Sequence, residues 1–315
     1  MSVLILEPYD YSPRALETLS ALGAVWTSGL PSNASAIVQF IVARLAYKLD
    51  ENFLRQFPNL LAILTPTTGL THIDMLYCTQ RGIKVYCLKD CLDRIQTVTS
   101  TSELTLGLMI SLLRRIPYAH NDVVVNGRWE RDKFKSRQLS MLSLGLIGLG
   151  RIGGHVASYA RALGMKVIAY DPLQPEIRFE GLGVERSSLG NLLARCDIVS
   201  IHANLNQENI RFIGRSELDL MQPSALFINT ARGALVDESA LADALRAGKL
   251  AGVAVDVLEC EHSDSDWRTS PLIEAAKDGL NVILTPHIGG CTSDAMHTTE
   301  ESLAEAFVDD FLRNG

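Results

Sequence analysis

One short segment restricts the fold of this chain more than any other. Residues 148–153 read GLGRIG, and an aspartate, Asp171, follows 18 residues after the last of these glycines. An apolar run at 144–147 precedes the glycines, and a second run at 166–170 leads to the aspartate. The order strand, glycine turn, helix, strand and acid is that of a dinucleotide-binding unit. The sequence therefore predicts a Rossmann-type α/β domain.

The glycines and the aspartate each have a physical role in such a unit. Gly148 permits a tight turn, Gly150 lets the backbone approach a pyrophosphate, and Gly153 lets the helix pack close to the strand. The helix N-terminus offers unpaired N–H groups to the phosphates. Asp171 can accept hydrogen bonds from the adenosine ribose and would repel a 2′-phosphate. We therefore expect the segment to bind a cofactor, and NAD rather than NADP. The alternative to cofactor binding is an ordinary glycine-rich turn of an α/β protein.

Length and composition exclude several classes of protein. A chain of 315 residues can form two domains with separate cores, and 47% hydrophobic with 21% charged residues is ordinary for a globular protein. The net charge of −7 argues against nucleic acid or an anionic membrane as a partner. No apolar run is long enough to span a membrane. The six cysteines form no CxxC pair, so we expect reduced thiols, a cytoplasmic location and no metal site.

The apolar pattern divides the chain into two predicted α/β domains. Residues 1–98 alternate strand and helix signals, and with a C-terminal helical segment, 288–315, they should form a smaller, flavodoxin-like substrate domain. Residues 99–287 should form the doubly wound NAD-binding Rossmann domain. It opens with a helix at about 101–116, ended by Pro117. Six strands are predicted in it, at 144–147, 167–170, 198–201, 226–228, 253–255 and 282–284.

Candidate catalytic side chains follow three of these strands. Arg232 comes after 226–228, Glu261 after 253–255 and His287 after 282–284. Ligands of open α/β sheets bind beyond the carboxyl ends of the strands, so these residues should meet. A histidine can donate and accept a proton near neutral pH, a glutamate can orient it, and an arginine can clamp a carboxylate. Each residue alone is more often structural; their joint placement favours catalysis.

Three motifs, at 146–153, 229–238 and 285–290, resemble the D-isomer-specific 2-hydroxyacid dehydrogenase family, which includes D-3-phosphoglycerate dehydrogenases. The resemblance implies reversible hydride transfer between NAD(H) and a 2-keto or 2-hydroxy acid. The substrate it suggests is a phosphorylated acid or one with an extended side chain. It implies that His287 protonates the keto oxygen, that Glu261 holds His287, and that Arg232 binds the substrate carboxylate. These three are the expected catalytic residues.

The same resemblance implies further contacts. Substrate contacts are expected from Arg44, Thr68, Gly69, Leu70 and Arg232. Cofactor contacts are expected from Gly148, Gly150, Arg151, Ile152, Gly153, Asp171, His202, Thr230, Ala231, Arg232, Asp256, His287, Gly289, Gly290 and Thr101. A homodimer is expected through residues 101–134, as is usual in the family.

Two other functions fit the same residues. One is an NAD(H)-sensing binding protein like the co-repressors of the family, which keep the fold and much of the catalytic triplet. The other is a related dehydrogenase that oxidises phosphite instead of a hydroxy acid. Turnover of 2-keto acids would separate these alternatives.

Overall fold

The computed structural model describes residues 1–28, 34–261 and 266–314, which form two compact units. The first is Met1–Val98 with Cys291–Gly315, and the second is Thr99–Gly290. The chain returns to the first unit three residues later than the sequence analysis expects. The reason is that the Asp256 carboxylate accepts the N–H groups of Ile288 and Gly289, which keeps this stretch with the second unit.

The first unit contains one parallel sheet. Its strands are β1 (Ser2–Ile5), β2 (Ala24–Trp26), β3 (Phe40–Val42), β4 (Ala62–Thr65) and β5 (Lys84–Cys87), and its first helices are α1 (Pro13–Ser20), α2 (Ala34–Ile37), α3 (Glu51–Leu54) and α4 (Met75–Arg81). The strand order β2-β1-β3-β4-β5 is flavodoxin-like, which confirms the predicted fold class. All four strand pairings are parallel.

Side-chain caps fix the beginnings of three helices in this unit. Ser12, Asp50 and Asp74 each accept a hydrogen bond from a backbone N–H of the first helical turn. Such caps satisfy N–H groups that have no partner inside the helix. The apolar run at 37–42 predicts one strand. In the structure, Ile37 ends α2 and the strand β3 begins only at Phe40. β2 was not predicted, because it is short and only partly buried.

The second unit is larger. Its helices are α5 (Ser100–Arg114), α6 (Ile116–Val124), α7 (Arg151–Ala162), α8 (Glu176–Leu182), α9 (Leu189–Arg195), α10 (Arg215–Leu218), α11 (Glu238–Arg246) and α12 (Pro271–Lys277). Its strands are β6 (Ser143–Ile147), β7 (Lys166–Tyr170), β8 (Glu185–Arg186), β9 (Ile198–Ile201), β10 (Leu226–Asn229), β11 (Gly252–Val255) and β12 (Val282–Leu284). Pro117 lies in the first turn of α6, and the predicted single helix is broken before it by the left-handed Arg115.

The seven strands are parallel and lie in the order β12-β11-β10-β9-β6-β7-β8. The order reverses between β6 and β9, which is the switch point of a doubly wound Rossmann sheet. Alternate residues of a central strand serve the two faces: Phe227 packs in one core cluster, while Leu226 and Ile228 pack in the other. Burial on both faces explains why these strands read as continuous apolar runs. The two-residue strand β8 gave no such signal.

The last helix, α13 (Ser293–Asn314), packs on the first unit. Phe307 makes edge-to-face contacts with Phe40 and Tyr86, with ring centroids 5.2 and 4.9 Å apart. The Tyr86 hydroxyl donates to the Asp310 carboxylate at 2.7 Å. Across the described ranges, no helix combines the length and apolar character that a membrane crossing requires.

Candidate active site

In the second unit, the register of the paired strands brings the residues that follow them to one edge of the sheet. Ile147 pairs with both Tyr170 and Ile201, and Asn229 pairs with both Ile201 and Val255. Val255 pairs in turn with Leu284. The residue after each strand therefore lies at the same edge, and this row is Asp171, Gly148, His202, Thr230, Asp256 and Thr285.

The glycine turn between β6 and α7 has two glycines that the fold itself requires. A Cβ on Gly148, which has a φ of 99°, would lie 2.7 Å from the backbone of His202. A Cβ on Gly153 would lie 2.2 Å from the Gly148 carbonyl oxygen. At Gly150, by contrast, no described atom lies within 4 Å of the Cβ position. The open surface at Gly150, directly before α7, suits the close approach of a pyrophosphate.

Asp171 is held at the end of β7 by two backbone groups. Its carboxylate accepts the N–H of Leu149 at 2.8 Å and that of Leu173 at 3.0 Å. The first bond links the acid directly to the glycine turn. A carboxylate fixed in this position suits recognition of the ribose hydroxyls.

Arg178, on α8, also holds the glycine turn, and sequence reasoning missed it. Its Nε donates to the Leu149 carbonyl at 3.2 Å and its Nη2 to the Gly150 carbonyl at 3.0 Å. A Cβ on Gly154 would lie 2.4 Å from that Nη2 atom, so glycine at 154 leaves room for the guanidinium. The glycine that follows Gly153 is the only signal in the sequence for this contact.

The start of α7 presents Arg151 and Ile152 at the turn. Burial lowers the pKa of the Arg151 guanidinium below its usual value, although arginine stays charged at neutral pH. The Ile152 carbonyl accepts the Ser102 hydroxyl of α5 at 3.2 Å. At the end of β9, burial lowers the pKa of His202 to about 3. His202 is therefore neutral at pH 7, and its Nε2 lies 3.0 Å from the Ser200 hydroxyl.

His287 and Glu261, predicted from different strand ends, are in direct contact. The His287 Nδ1 atom lies 3.0 Å from Glu261 Oε1, and the two side chains are 22% and 18% exposed. His287 has a left-handed backbone, with a φ of 54°. Its N–H donates to the Asp256 carbonyl at 2.8 Å, which holds this uncommon conformation. The contact at Nδ1 fixes the orientation of the ring.

Asp256 organises the loop that carries His287. Its buried carboxylate accepts the Thr285 hydroxyl at 2.6 Å and the N–H groups of Ile288 and Gly289, each at 2.8 Å. Burial raises the pKa of Asp256, while these three hydrogen bonds oppose the rise. Three bonds to one carboxylate fix residues on both sides of His287. Asp256, predicted as a cofactor contact, thus also positions the histidine.

Arg232 lies in the turn after β10. The Asn229 side chain shapes this turn by donating to the Arg232 carbonyl at 2.9 Å and accepting the Ala231 N–H at 3.0 Å. The guanidinium donates to the Ala231 carbonyl at 2.6 Å, and among the described residues no carboxylate is within ion-pair distance of it. Burial lowers the pKa of Arg232, and Glu261 nearby raises it. A partly buried guanidinium without an anionic partner is suited to bind a carboxylate.

The loop that carries Glu261 is held by a residue that the sequence analysis did not identify. Glu238, buried at the start of α11, accepts the Glu259 N–H at 2.6 Å and the Ser270 hydroxyl at 2.7 Å. A Cβ on Gly233 would lie 2.1 Å from the Leu258 carbonyl carbon, so the turn after Arg232 packs directly on this loop. Arg232 and Glu261 are thereby kept on adjoining segments. Glu238 is the last residue of the motif 229–238, so that motif contained the sequence signal for this contact.

The start of α5 joins the same sheet edge. The Thr230 hydroxyl lies 2.9 Å from the Thr105 hydroxyl, which donates to the Thr101 carbonyl at 2.8 Å. A Cβ on Gly289 would lie 3.1 Å from Thr101 Cγ2 and 3.0 Å from Asp256 Oδ2. The structure thus brings together Thr101, Thr230, Asp256 and Gly289. At Gly290, no described atom lies within 4 Å of the position that a Cβ would take.

In the first unit, the loop after β4 has three N–H groups available. Thr67 shapes the loop by donating its hydroxyl to the Gly69 carbonyl at 2.8 Å. Within the described ranges, the N–H groups of Thr68, Gly69 and Leu70 donate to no protein acceptor. Successive unpaired N–H groups suit an anion. Arg44, which is also predicted to contact the substrate, forms an ion pair with Glu300 inside this unit.

A sequence profile for the NAD binding domain of the D-isomer-specific 2-hydroxyacid dehydrogenases matches residues 106–289, more than half of the chain. The chain belongs to the D-isomer-specific 2-hydroxyacid dehydrogenase family. NAD is the cofactor that this domain of the family binds. The profile spans the glycine turn, Asp171 and all three predicted catalytic residues.

Similar proteins within this dehydrogenase family have several substrates in their names. The chain is 37% identical to a D-3-phosphoglycerate dehydrogenase of Archaeoglobus fulgidus over 85% of its own length and 48% of the relative's. It is 35% identical to a hydroxypyruvate reductase of Thermotoga maritima, over 85% of this chain and 83% of that protein. The chain spans about half the length of the phosphoglycerate dehydrogenases it matches.

A solved structure of the same dehydrogenase family shares the fold. The D-lactate dehydrogenase from Aquifex aeolicus, in complex with NAD and lactic acid, superposes with a TM-score of 0.82. The two sequences are 30% identical, and the match covers 99% of this chain and 96% of that one.

Proposed function

We propose that the chain is an NAD-dependent D-2-hydroxyacid dehydrogenase that interconverts a 2-keto acid and a D-2-hydroxy acid. The observation that carries the proposal is the group formed by Arg232, Glu261 and His287. The Arg232 guanidinium is partly buried and, among the described residues, has no carboxylate within ion-pair distance. It lies near a histidine–carboxylate pair, at the sheet edge that also holds the dinucleotide turn. Binding an acid and moving one proton are the two tasks that such a group can perform.

His287 acts as the general acid when a keto acid is reduced. Its Nε2 proton passes to the keto oxygen, and in the reverse direction Nε2 removes the hydroxyl proton. When bound, NAD(H) would supply or accept the hydride at the carbon that carries the keto or hydroxyl oxygen. Glu261 holds Nδ1 and so fixes the orientation of the ring.

Arg232 binds and orients the substrate. Its guanidinium forms two parallel hydrogen bonds with a carboxylate, and its charge polarises the adjacent carbonyl. In the first unit, the N–H groups of Thr68, Gly69 and Leu70 remain our predicted donors to a substrate carboxylate. Burial of Arg232 strengthens the interaction, because charges attract more strongly where water is excluded.

The residues of the glycine turn fit the cofactor. Gly150 and the N-terminus of α7, with Arg151 and Ile152, would hold the pyrophosphate. Asp171 would accept hydrogen bonds from the ribose hydroxyls. We assign further contacts with the cofactor, along the same sheet edge, to His202, Thr230, Ala231, Asp256, Gly289, Gly290 and Thr101.

Oxidation of NADH in the presence of a panel of 2-keto acids tests the proposal. We expect turnover with at least one acid and formation of the D-hydroxy acid, measured by chiral chromatography. Tight NADH binding without turnover of any acid would contradict the proposal and favour an NAD(H)-sensing protein. Reduction of NAD with phosphite, but of no keto acid with NADH, would favour the phosphite dehydrogenase.

The proposal includes a homodimer in the cytoplasm. Apolar side chains on and after α6 support the dimer: Val124 is 65% exposed, Val125 70% and Trp129 88%. Neighbouring exposed apolar groups of this kind mark interaction surfaces. The six cysteines all lie within the described residues and form no disulfide there, which suits a reducing compartment.

A further inference from the structure

Arg178, on α8, is joined to the glycine turn by two hydrogen bonds to its backbone. Nε donates to the Leu149 carbonyl at 3.2 Å, and Nη2 donates to the Gly150 carbonyl at 3.0 Å. Within the described ranges, no carboxylate lies within ion-pair distance of this guanidinium. The positive charge of Arg178 is therefore not neutralised by an acid, and it lies directly against the backbone of the turn.

The two carbonyls that Arg178 holds determine where two N–H groups point. In a trans peptide, the C=O of one residue and the N–H of the next residue point in opposite directions. The two hydrogen bonds therefore direct the N–H groups of Gly150 and Arg151 to the side of the turn that faces away from Arg178. Among the described residues, the Gly150 N–H has no protein acceptor. N–H groups at the start of a helix are suitable donors to a phosphate.

The charge of Arg178 also makes these N–H groups stronger donors. A cation that binds a carbonyl oxygen polarises the whole peptide group, including the N–H on its other side. The charge adds to the partial positive charge at the N-terminus of α7. Both effects favour an anion at the open surface of Gly150.

The position of the guanidinium depends on a glycine in α7. A Cβ on Gly154 would lie 2.4 Å from Arg178 Nη2 and 3.6 Å from Leu182 Cδ1. The second distance is an ordinary contact, whereas the first is too short. An alanine at 154 would therefore push the end of the Arg178 side chain away from the Gly150 carbonyl.

We propose that Arg178 is a positioning residue for the dinucleotide, which keeps the glycine turn in the conformation that binds the pyrophosphate. It acts through the N–H groups of Gly150 and Arg151 and does not itself contact the cofactor. The inference rests on the proposed pyrophosphate site but on no catalytic step, so binding to the protein tests it without turnover.

The variant Arg178→Ala tests this role by titration. We expect the dissociation constant of NADH, measured by fluorescence, to rise about tenfold, because hydrogen bonds to a charged group are lost. Adenosine has no phosphate, so its dissociation constant, measured by competition with NADH, should not change. An unchanged value for NADH, or an equal loss for both ligands, would overturn the inference.

Arg161→Ala is the matched control. Arg161, on α7, also links α7 to α8, because its Nη1 donates to the Leu182 carbonyl at 2.6 Å. This bond does not involve the glycine turn, so the dissociation constant of NADH should stay close to the wild-type value. A loss as large as that of Arg178→Ala would show that any loosening of α8 weakens binding, which would contradict the specific role of Arg178.

Gly154→Ala separates positioning from stability, because Arg178 remains in the chain. Alanine is favoured over glycine inside a helix, so the Tm of the protein without cofactor should equal or exceed that of the wild type. The dissociation constant of NADH should nevertheless rise toward that of Arg178→Ala. The double variant should bind no more weakly than Arg178→Ala, because both changes remove the same contact. Wild-type affinity in Gly154→Ala, or fully additive losses, would contradict the proposal.

The outcome for Arg178 can be distinguished from that for the dehydrogenase function. If Arg178→Ala does not fold, as judged by circular dichroism, Gly154→Ala still decides. A wild type that binds NADH but reduces no keto acid would remove the dehydrogenase function and leave the role of Arg178 to be decided by these titrations. If the wild type does not bind NADH, the pyrophosphate site fails and this inference fails with it.

Discussion

At the scale of single residues, the two ends of the His287 ring have different tasks. Nδ1 is occupied by Glu261 at 3.0 Å, while the backbone is held by Asp256 in a left-handed conformation. The ring therefore has one defined orientation before any ligand binds. Preorganisation of this kind reduces the entropy that must be lost when the substrate is positioned.

Replacing His287 with alanine should remove the proton donor without changing the dinucleotide turn. We expect kcat for keto-acid reduction to fall about 10²- to 10⁴-fold, the usual contribution of general acid–base catalysis. The dissociation constant of NADH, measured by fluorescence titration, should stay close to the wild-type value. A kcat within a factor of two of the wild type would show that another group transfers the proton.

The carboxylate of Asp171 should set the preference between the two dinucleotides. In Asp171→Ala, the loss of charge-assisted bonds to the ribose should weaken NADH binding by about 1–3 kcal/mol and narrow the difference from NADPH. Steady-state kcat/KM values for both cofactors measure this. Because Asp171 also accepts the Leu149 N–H, thermal unfolding should accompany the kinetics. An unchanged NADH/NADPH ratio would mean that Asp171 does not contact the ribose.

At the scale of elements, the position of the loop that carries Glu261 depends on α11, a helix that lies before this loop in the sequence. Glu238, at the start of α11, accepts the Glu259 N–H, and burial raises the pKa of this carboxyl. The loop and the turn of Arg232 are thus fixed to one another through α11. A positioning residue of this type acts on catalysis only through the histidine–glutamate pair.

The variants Glu238→Ala and Glu238→Gln separate this positioning from general damage. Alanine should free the loop and lower kcat about tenfold or more with little change in KM for NADH. Glutamine keeps an acceptor for the Glu259 N–H and offers a donor to the Ser270 hydroxyl, so it should largely restore kcat. Equal effects of the two variants would contradict the positioning role.

The elements also show what the sequence can and cannot predict. Strands β6, β7 and β9–β12 were predictable because burial on both faces leaves an unbroken apolar run, and their ends located His287, Glu261 and Arg232. The edge strands β2 and β8 are short and partly exposed, so they gave no pattern. Other contacts join residues that are far apart in the sequence and leave no periodic pattern in it. Examples are the contact of Arg178 with the glycine turn and that of Arg44 with Glu300. They depend on packing that only the folded chain defines.

At the scale of the whole molecule, the exposed apolar side chains after α6 are the surface to test for self-association. Trp129→Glu places a charge where the proposed dimer would exclude water. We expect the variant to shift toward monomer in light scattering coupled to gel filtration, at a concentration where the wild type is dimeric. Trp267→Glu, at another partly exposed tryptophan of the second unit, is the control and should not change the mass. A dimer that is unaffected by Trp129→Glu would place the interface elsewhere.

The return of α13 to the first unit has a consequence for biosynthesis. The core around Phe40 is completed by Phe307, so the first unit joins segments separated by the entire second unit. On the ribosome, the core of the 1–98 segment stays incomplete until α13 has been synthesised. The continuous 99–290 segment can fold as soon as it has emerged. Contacts of such long sequence separation are slow to form. The N-terminal segment is therefore the part of the nascent chain that most needs protection from aggregation.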